Sequence, residues 1–358
     1  MSPPALRTTA RLVAINASIL LVGVVALELV FGDWIGEPSV RQLGLARDID
    51  RRNDACGLYA GPDCIARYRR DRHGLRGDFA DPAEIDLLTV GGSATDQRYI
   101  DETRTWQAVL RSELRRAGRG LTIGNAGVDG QSTFGHIRSL ELWFPRVPGL
   151  APRYYLFYAG VNDLLITGER GYDRLDAGGG WRELLRARSA LYDVVRKLHG
   201  VYLARRVYGV GHSSIDFGGI DWVEDPLASG YESLMADGLA AYRARVLDLG
   251  RRVRELGAVP VFVTQPSREY RRRAGTLQGT PRIVSFRGVP TNGVDRHHML
   301  IVLNRVTMEA CAAAHGVCID LAAELELDDD DFYDYFHNTP KGTAKIGRFL
   351  ARKLELLM

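Results

Sequence analysis

Between Ile85 and Leu356, short apolar runs alternate with longer stretches whose apolar residues recur at helical spacing. Ile85–Val90 is an apolar run of strand length closed by Gly91-Gly92, and the pattern turns helical over Thr105–Ala117. A strand at Leu121–Asn125, a helix at Phe134–Phe144 and a strand at Tyr154–Tyr158 follow. After an insertion over 165–234 come a helix at Met235–Leu256, a strand at Val259–Thr264 and a helix at His298–His315. A strand at Val317–Asp320 and a helix at Thr343–Leu356 complete the series. Strands separated by helices imply right-handed crossovers, so the pattern predicts an α/β chain. The expected architecture is a three-layer α/β/α sandwich around a central parallel sheet.

A different pattern precedes it. Leu12–Phe31 is apolar except for Asn16, Ser18 and Glu28. At 1.5 Å per residue such a segment spans roughly 30 Å, the thickness of a bilayer's hydrocarbon core. Arg7 and Arg11 come before it, and Asp33 and Glu37 after it. This asymmetry predicts a cytoplasmic N-terminus at 1–11, a transmembrane anchor at 12–31 and an exported remainder. A cleavable signal peptide is the rival reading; it calls for a shorter apolar region and a small-residue cleavage site. Glu28 lies within a turn of the far end, in reach of the headgroups. Residues 32–84 are polar and loop-rich and read as a juxtamembrane entry segment to an α/β domain at 85–358.

The chain has 358 residues, enough to bury a sizeable core. A net charge of +3 is too small to argue for nucleic acid, and no repeat or low-complexity tract is present. The four cysteines form two close pairs, Cys56/Cys64 and Cys311/Cys318, and either pair suits a disulfide in an exported chain. Cys56–Cys64 is the favoured bridge; Cys311 and Cys318 read as small buried residues at a helix end and the next strand. In the insertion, Arg182, Arg186, Arg188, Arg196, Lys197, Arg205 and Arg206 are interleaved with leucines and valines. That predicts one or two amphipathic helices, a solvated cap or a membrane- or anion-facing surface.

The chemistry is concentrated in four blocks. They read GGSAT at Ser93, NAGVDGQST with Gly127 and Gly130, AGVND with Gly160 and Asn162, and DFYDYFHNTPKG with Asp334 and His337. The first three follow predicted strands, at the sheet edge where open α/β folds bind ligands. A serine hydroxyl is a weak nucleophile until a histidine takes its proton, and a carboxylate must orient that histidine. A tetrahedral oxyanion needs preorganised donors. Here these are the N–H groups of Ser93 and Gly130 and the amide of Asn162.

This combination resembles the SGNH/GDSL hydrolase family, in its membrane-anchored, exported esterase or O-acyltransferase-like branch. The family's G-D-S-L reads Gly91-Gly92-Ser93-Ala94, a departure that removes no catalytic atom. Ser93 matches the nucleophile, Gly130 and Asn162 the oxyanion residues, and Asp334 with His337 the final D-x-x-H. Gly74–Asp78 resembles the entry segment of exported members. The resemblance covers about Ile85 to Leu356. The α/β-hydrolase pattern fits less well, because Thr95 stands where G-x-S-x-G needs glycine and the acid and histidine are only three residues apart.

The remaining histidines, His73, His136, His199, His212, His297, His298 and His315, read as surface or packing residues. Asp96 and Asp163 read as turn or structural groups, and Asp328–Asp331 as a solvated acidic turn. Gln265 and Arg268, with Arg271, Arg272 and Arg273 behind them, are placed at the pocket rim, facing an acidic glycan, a phospholipid headgroup or only solvent. No metal or cofactor is expected. The resemblance implies a serine esterase or O-acyltransferase acting on O-acyl groups, such as O-acetyl, of an envelope polysaccharide or glycolipid. The alternative is a low-activity binding or assembly subunit of a polysaccharide synthesis or export machine. The catalytic domain is expected outside the cytoplasm, in the periplasm or at the cell surface. A reporter enzyme fused after Met358 should therefore be active only outside the cytoplasm; cytoplasmic activity would overturn this topology.

Overall fold

A strand buried on both faces must be apolar almost throughout. In the computed structural model, Leu87–Gly91, Tyr154–Ala159 and Val259–Thr264 meet that requirement and form the centre of a six-stranded sheet. The structure describes residues 3–32, 34, 39–61, 64–164, 166, 168–175, 181, 185, 188–192, 194–195 and 212–356. It divides into two units, Met1–Leu45 with Asp176–Gly209, and Ala46–Leu175 with Val210–Met358.

In the second unit the strands are β1 (Ile49–Asp54), β2 (Ile65–Arg70), β3 (Arg76–Gly77), β4 (Leu87–Gly91), β5 (Ile123–Asn125) and β6 (Tyr154–Ala159). They continue with β7 (Val259–Thr264), β8 (Tyr270–Arg273), β9 (Thr276–Gly279), β10 (Val284–Phe286), β11 (Val289–Thr291) and β12 (Val317–Ile319). The main sheet runs β12-β7-β6-β4-β5-β3, parallel except for β3 at its edge. The five parallel strands follow the doubly wound 2-1-3-4-5 order, which opens a crevice between β4 and β6 at their carboxyl ends.

Alternate residues on each strand serve the two faces. Leu87, Leu156, Tyr158, Val261, Val263 and Ile319 pack on one face, against Trp106, Leu110 and Leu114 and against Ile346, Phe349 and Leu350. On the other face Phe157 stacks on Phe262 at 5.1 Å, with His136 6.2 Å from Phe157. The chain is therefore a three-layer α/β/α sandwich with a mostly parallel sheet.

The helices include α1 (Pro3–Phe31), in the first unit, and α2 (Ser93–Asp96), α3 (Trp106–Arg116), α4 (Thr133–Arg138), α5 (Tyr231–Glu255), α6 (Gly293–Ala313) and α7 (Pro340–Glu355), with a further single turn at Leu321–Glu324. Capping sets several starts earlier than periodicity suggests. Asn292 and Asp295 form a reciprocal box ahead of α6, and the Thr339 hydroxyl accepts from the Gly342 N–H ahead of α7. The helix expected over Phe134–Phe144 is α-helical only to Arg138. It widens into a π turn at Ser139–Trp143 and tightens to a 3₁₀ turn at Phe144–Arg146, where Pro145 can donate no backbone hydrogen bond.

The entry segment is more ordered than its composition suggests. β1 and β2 form an antiparallel hairpin whose charged residues, read as loop, are exposed except for Arg70, which is buried. Two further hairpins, β8–β9 and β10–β11, lie between β7 and α6. Both cysteine pairs are disulfides, so Cys311 and Cys318 are bonded to each other and are not two small thiols. The Cys56–Cys64 bridge closes the β1–β2 loop, and Cys64 packs against Ala55, Leu58, Tyr59, Tyr99, Ile100 and Tyr333.

In the first unit, Arg11–Phe31 of α1 is long and apolar enough to cross a membrane, as an anchor or as a signal sequence. Glu28 is not left for headgroups. It accepts hydrogen bonds from Trp34 Nε1 and Ser189 Oγ, both at 2.7 Å, and from the N–H groups of Ala190 and Leu191. Of the insertion's basic residues, Arg182, Arg186, Arg196, Lys197, Arg205 and Arg206 lie outside the described residues.

Converting both Cys56 and Cys64 to Ser is expected to cost about 2–3 kcal/mol, the loop-entropy value for so short a ring. Urea denaturation checks this, and an unchanged midpoint would mean that the bridge does not hold the hairpin loop.

Candidate active site

The crevice at the carboxyl ends of β4 and β6 is built from tight turns. β4 runs directly into α2, a single helical turn that begins at Ser93. A Cβ on Gly91 would run into Thr95 Oγ1, and one on Gly92 into the amide nitrogen of Asn162. Both positions therefore exclude a side chain, and the Asn162 amide lies against the Ser93 turn.

Asp334 and His337 share the loop closed by the Phe332↔Asn338 bridge, just ahead of α7. Their spacing closes a turn in which Asp334 Oδ1 accepts the N–H groups of Phe336 at 2.9 Å and His337 at 2.8 Å. The same carboxylate lies 2.7 Å from His337 Nδ1 through Oδ2. Burial opposes the charge on Asp334, but the hydrogen bonds and charge of His337, with these two amides, outweigh it and hold the carboxyl below its usual range. An ionised Asp334 places the imidazole proton on Nδ1 and leaves the lone pair on Nε2. Nε2 is 2.7 Å from Ser93 Oγ. The structure thus brings Ser93, His337 and Asp334 into one hydrogen-bonded chain.

Gly130 has φ +76°, and a Cβ there would press on the Tyr172 ring at 2.9 Å. The Asn162 amide donates one hydrogen to Gln131 O at 2.8 Å, which leaves its second hydrogen for another acceptor. Its loop is held from behind. Gly160 takes φ +141°, and Gln265 Oε1 accepts the Val161 N–H at 2.9 Å. Gln265 is buried and supports the Asn162 loop, not a pocket rim. Arg268 is not at a free rim either: its guanidinium pairs with Asp329 and donates to Leu327 O. Arg271 lies 4.4 Å over the Trp222 ring and donates to Gln278.

Asp96 and Asp163 occupy structural positions beside the site. Asp96 ends the turn that carries Ser93 and is buried against Arg70 Nη2 at 2.7 Å and Tyr68 Oη at 3.0 Å. Arg70 also binds the carbonyls of Gly74 and Gly127, and Arg76 the carbonyl of Asp96. Asp163 accepts from Thr133 Oγ1 at 2.6 Å and pairs with Arg245 at 3.3 Å, while burial pushes its carboxyl up to about 6. Asp328–Asp331 is not a solvated turn throughout. Asp331 is fully buried and pairs with Lys345 at 2.5 Å, and Asp328 pairs with Lys341 and Lys345.

His212 and Tyr333 join the site without a sequence signal. The His212 ring stacks on His337 with centroids 4.2 Å apart, and its Nδ1 is 2.9 Å from Tyr333 Oη. One ligand atom each from His212, Asp334 and His337 fall within 4.8 Å of one another. Overlapping rings do not aim their in-plane lone pairs at a common point, so this trio is shaped for stacking and not for shared coordination of an ion.

No protein-family model and no curated protein matches the chain. Among solved structures it is similar to an acetylxylan esterase from Geobacillus stearothermophilus, at 14% identity and a TM-score of 0.42, over 75% of this chain and 93% of that one. It is also similar to TesA, at 12% and 0.42 over 76% and 99% of the two chains. A third likeness is to LAE5, an alpha/beta hydrolase from the metagenome of Lake Arreo, Spain, at 14% and 0.41 over 78% and 98%. Identities this low leave the chemistry to be judged on Ser93 and its neighbours.

Arg70→Met would leave the Asp96 carboxylate buried without its closest charge partner. Breaking such a pair typically costs about 3–5 kcal/mol. Urea denaturation should show a loss in that range, and a loss under about 1 kcal/mol would mean that Arg70 does not support the Ser93 turn.

Proposed function

We propose that this chain is a serine esterase or acyl-transfer enzyme that works through a covalent acyl-enzyme. The observation that carries the reading is the 2.7 Å approach of His337 Nε2 to Ser93 Oγ, with Asp334 2.7 Å from the opposite ring nitrogen. In this reading Ser93 Oγ attacks an ester carbonyl carbon while its proton passes to His337 Nε2. The carbonyl oxygen becomes an oxyanion that accepts from the Ser93 and Gly130 N–H groups and the second amide hydrogen of Asn162. Collapse breaks the ester C–O bond, and the departing alcohol takes the proton from Nε2. The acyl group is then bound to Ser93. A second hydroxyl compound, deprotonated by His337, attacks that acyl group and restores the serine.

Water as the second nucleophile makes the protein an esterase. A sugar hydroxyl makes it an O-acyltransferase. The motif resemblance to SGNH/GDSL hydrolases and the apolar helix ahead of the catalytic unit support an anchored enzyme acting outside the cytoplasm. Its substrate in this reading is an O-acyl group, such as O-acetyl, on an envelope polysaccharide or glycolipid.

Asn162→Ala should lower kcat by about 10²–10³ on an O-acetylated oligosaccharide, the usual effect of removing one oxyanion donor. Acetate release by the full chain in detergent measures it. A loss below about threefold would remove Asn162 from the oxyanion hole, since even one weak donor contributes more than that.

A further inference from the structure

Two hydrogen bonds at the edge of an imidazole do not fix its orientation. Asp334 at Nδ1, Ser93 at Nε2 and the Cβ–Cγ bond restrain the His337 ring, but the χ2 torsion of a histidine is broad and hydrogen bonds tolerate small rotations about it. Contacts with the ring faces narrow that range. The His212 centroid is 4.2 Å from that of His337 at an interplanar angle of 29°. Tyr333 is 5.5 Å from His337 at 9°, and 5.9 Å from His212. A triangle of 4.2, 5.5 and 5.9 Å cannot place the two neighbours on opposite sides of His337. Tyr333 is the offset neighbour, and His212 is the one that covers a face.

His212 is itself held. Its Nδ1 pairs with Tyr333 Oη at 2.9 Å, and its ring meets the edge of Tyr99 at 5.0 Å and 64°. Tyr59, in the Cys56–Cys64 loop, donates to Tyr99 O at 2.5 Å and lies 6.2 Å from the Tyr333 ring. This ring cluster contributes no atom to the triad, yet it ends on the face of the base.

We propose that His212 is a positioning residue for His337, an aromatic face that keeps the base's ring in the plane joining Asp334 to Ser93. The inference rests on the reading of His337 as the general base. The groups that face His212 are His337, Asp334, Asp129, Arg98, Tyr333 and Tyr99. Burial first, and then His337 and Arg98, oppose a proton on His212, while Asp334 and Asp129 favour one; the outcome is a pKa below the ordinary imidazole value. Arg98 and Asp129 are themselves paired at 2.9 Å, which limits the field of each. Burial keeps Tyr333 a neutral phenol. A neutral ring stacked on His337 also stabilises the imidazolium formed when Ser93 gives up its proton, as an aromatic face does for a cation.

The test uses the full chain in detergent micelles and a fluorophosphonate, which forms an Oγ–P bond at an activated serine and expels fluoride. His212→Phe keeps the stacked face, and His212→Ala removes it. Labelling of Ser93 should be within about threefold of wild type for Phe and about 10–100-fold slower for Ala, the scale of a misplaced catalytic group. KM for a 4-nitrophenyl ester should stay nearly constant across the series while kcat follows labelling. His212→Gln, which keeps polar volume without an aromatic face, gives the same comparison if the alanine chain does not fold. Equal labelling of Ala and wild type, or a Phe variant as slow as Ala, overturns the proposal.

If the wild type is not labelled at all, the esterase reading fails, and spectra of the ¹⁵N-histidine-labelled chain decide the positioning claim separately. The Nδ1–H signal of His337, shielded from exchange by Asp334, should be sharp in wild type and His212→Phe and broadened in His212→Ala. An unchanged signal in His212→Ala would overturn the claim.

Discussion

A carboxylate withdrawn from water must be matched by charge and hydrogen bonds, and Asp96 imposes that constraint at the centre of this protein. It ends the single helical turn that begins at Ser93, and its match is assembled from distant pieces of chain. Arg70 and Tyr68 come from β2, and Arg76 from the edge strand β3. Arg70 then reaches the Gly127 carbonyl in the turn after β5. The entry hairpin, the sheet edge and the serine turn are thereby tied to one buried charge. The same turn is held from the sheet by Asn125 of β5, which donates to Thr95 O at 2.7 Å, and from α3 by Gln107 and Trp106, which donate to the Thr95 and Ala94 carbonyls.

The site is supported from two directions. From below, the Asp96 cluster and Gln265 hold the Ser93 and Asn162 loops; from the side, rings anchored by the Cys56–Cys64 loop reach His337 through His212. Residues 46–86 are thus part of what positions Ser93 and His337. The strand-to-helix turn is a single helical turn with its serine half-buried at the crevice, and this bracing holds it there. The hairpins β8–β9 and β10–β11 have a different role: buried Glu269 and Arg296, paired at 2.7 Å, fasten them to α6, away from the reacting groups.

What was legible in the sequence is what local chemistry encodes. β4, β6 and β7 are runs of apolar residues, and the glycines after β4 and β6 mark turns that exclude side chains, so the sheet and the places of Ser93 and Asn162 could be read directly. Asp334 and His337 sit in one turn, and their spacing alone brings carboxylate and imidazole together. β1 and β2 were not legible, because strands with one face in water carry charges at alternate positions and resemble loop. Arg268 was misplaced for a related reason: the partner that takes it, Asp329, lies far along the chain. His212 had no sequence signal at all, since its ring neighbours His337, Tyr333 and Tyr99 are brought to it by tertiary structure.

The central claim is that Ser93, activated by His337, takes an acyl group from an ester and passes it to water or a second hydroxyl. The most direct measurement is intact-mass spectrometry of the full chain shortly after mixing with 4-nitrophenyl acetate, followed by peptide mapping. The account predicts one acetyl group on Ser93 that decays as acetate is released and that never forms in Ser93→Ala. Ester turnover with no acetylated serine, or with the acetyl group on another residue, would contradict it.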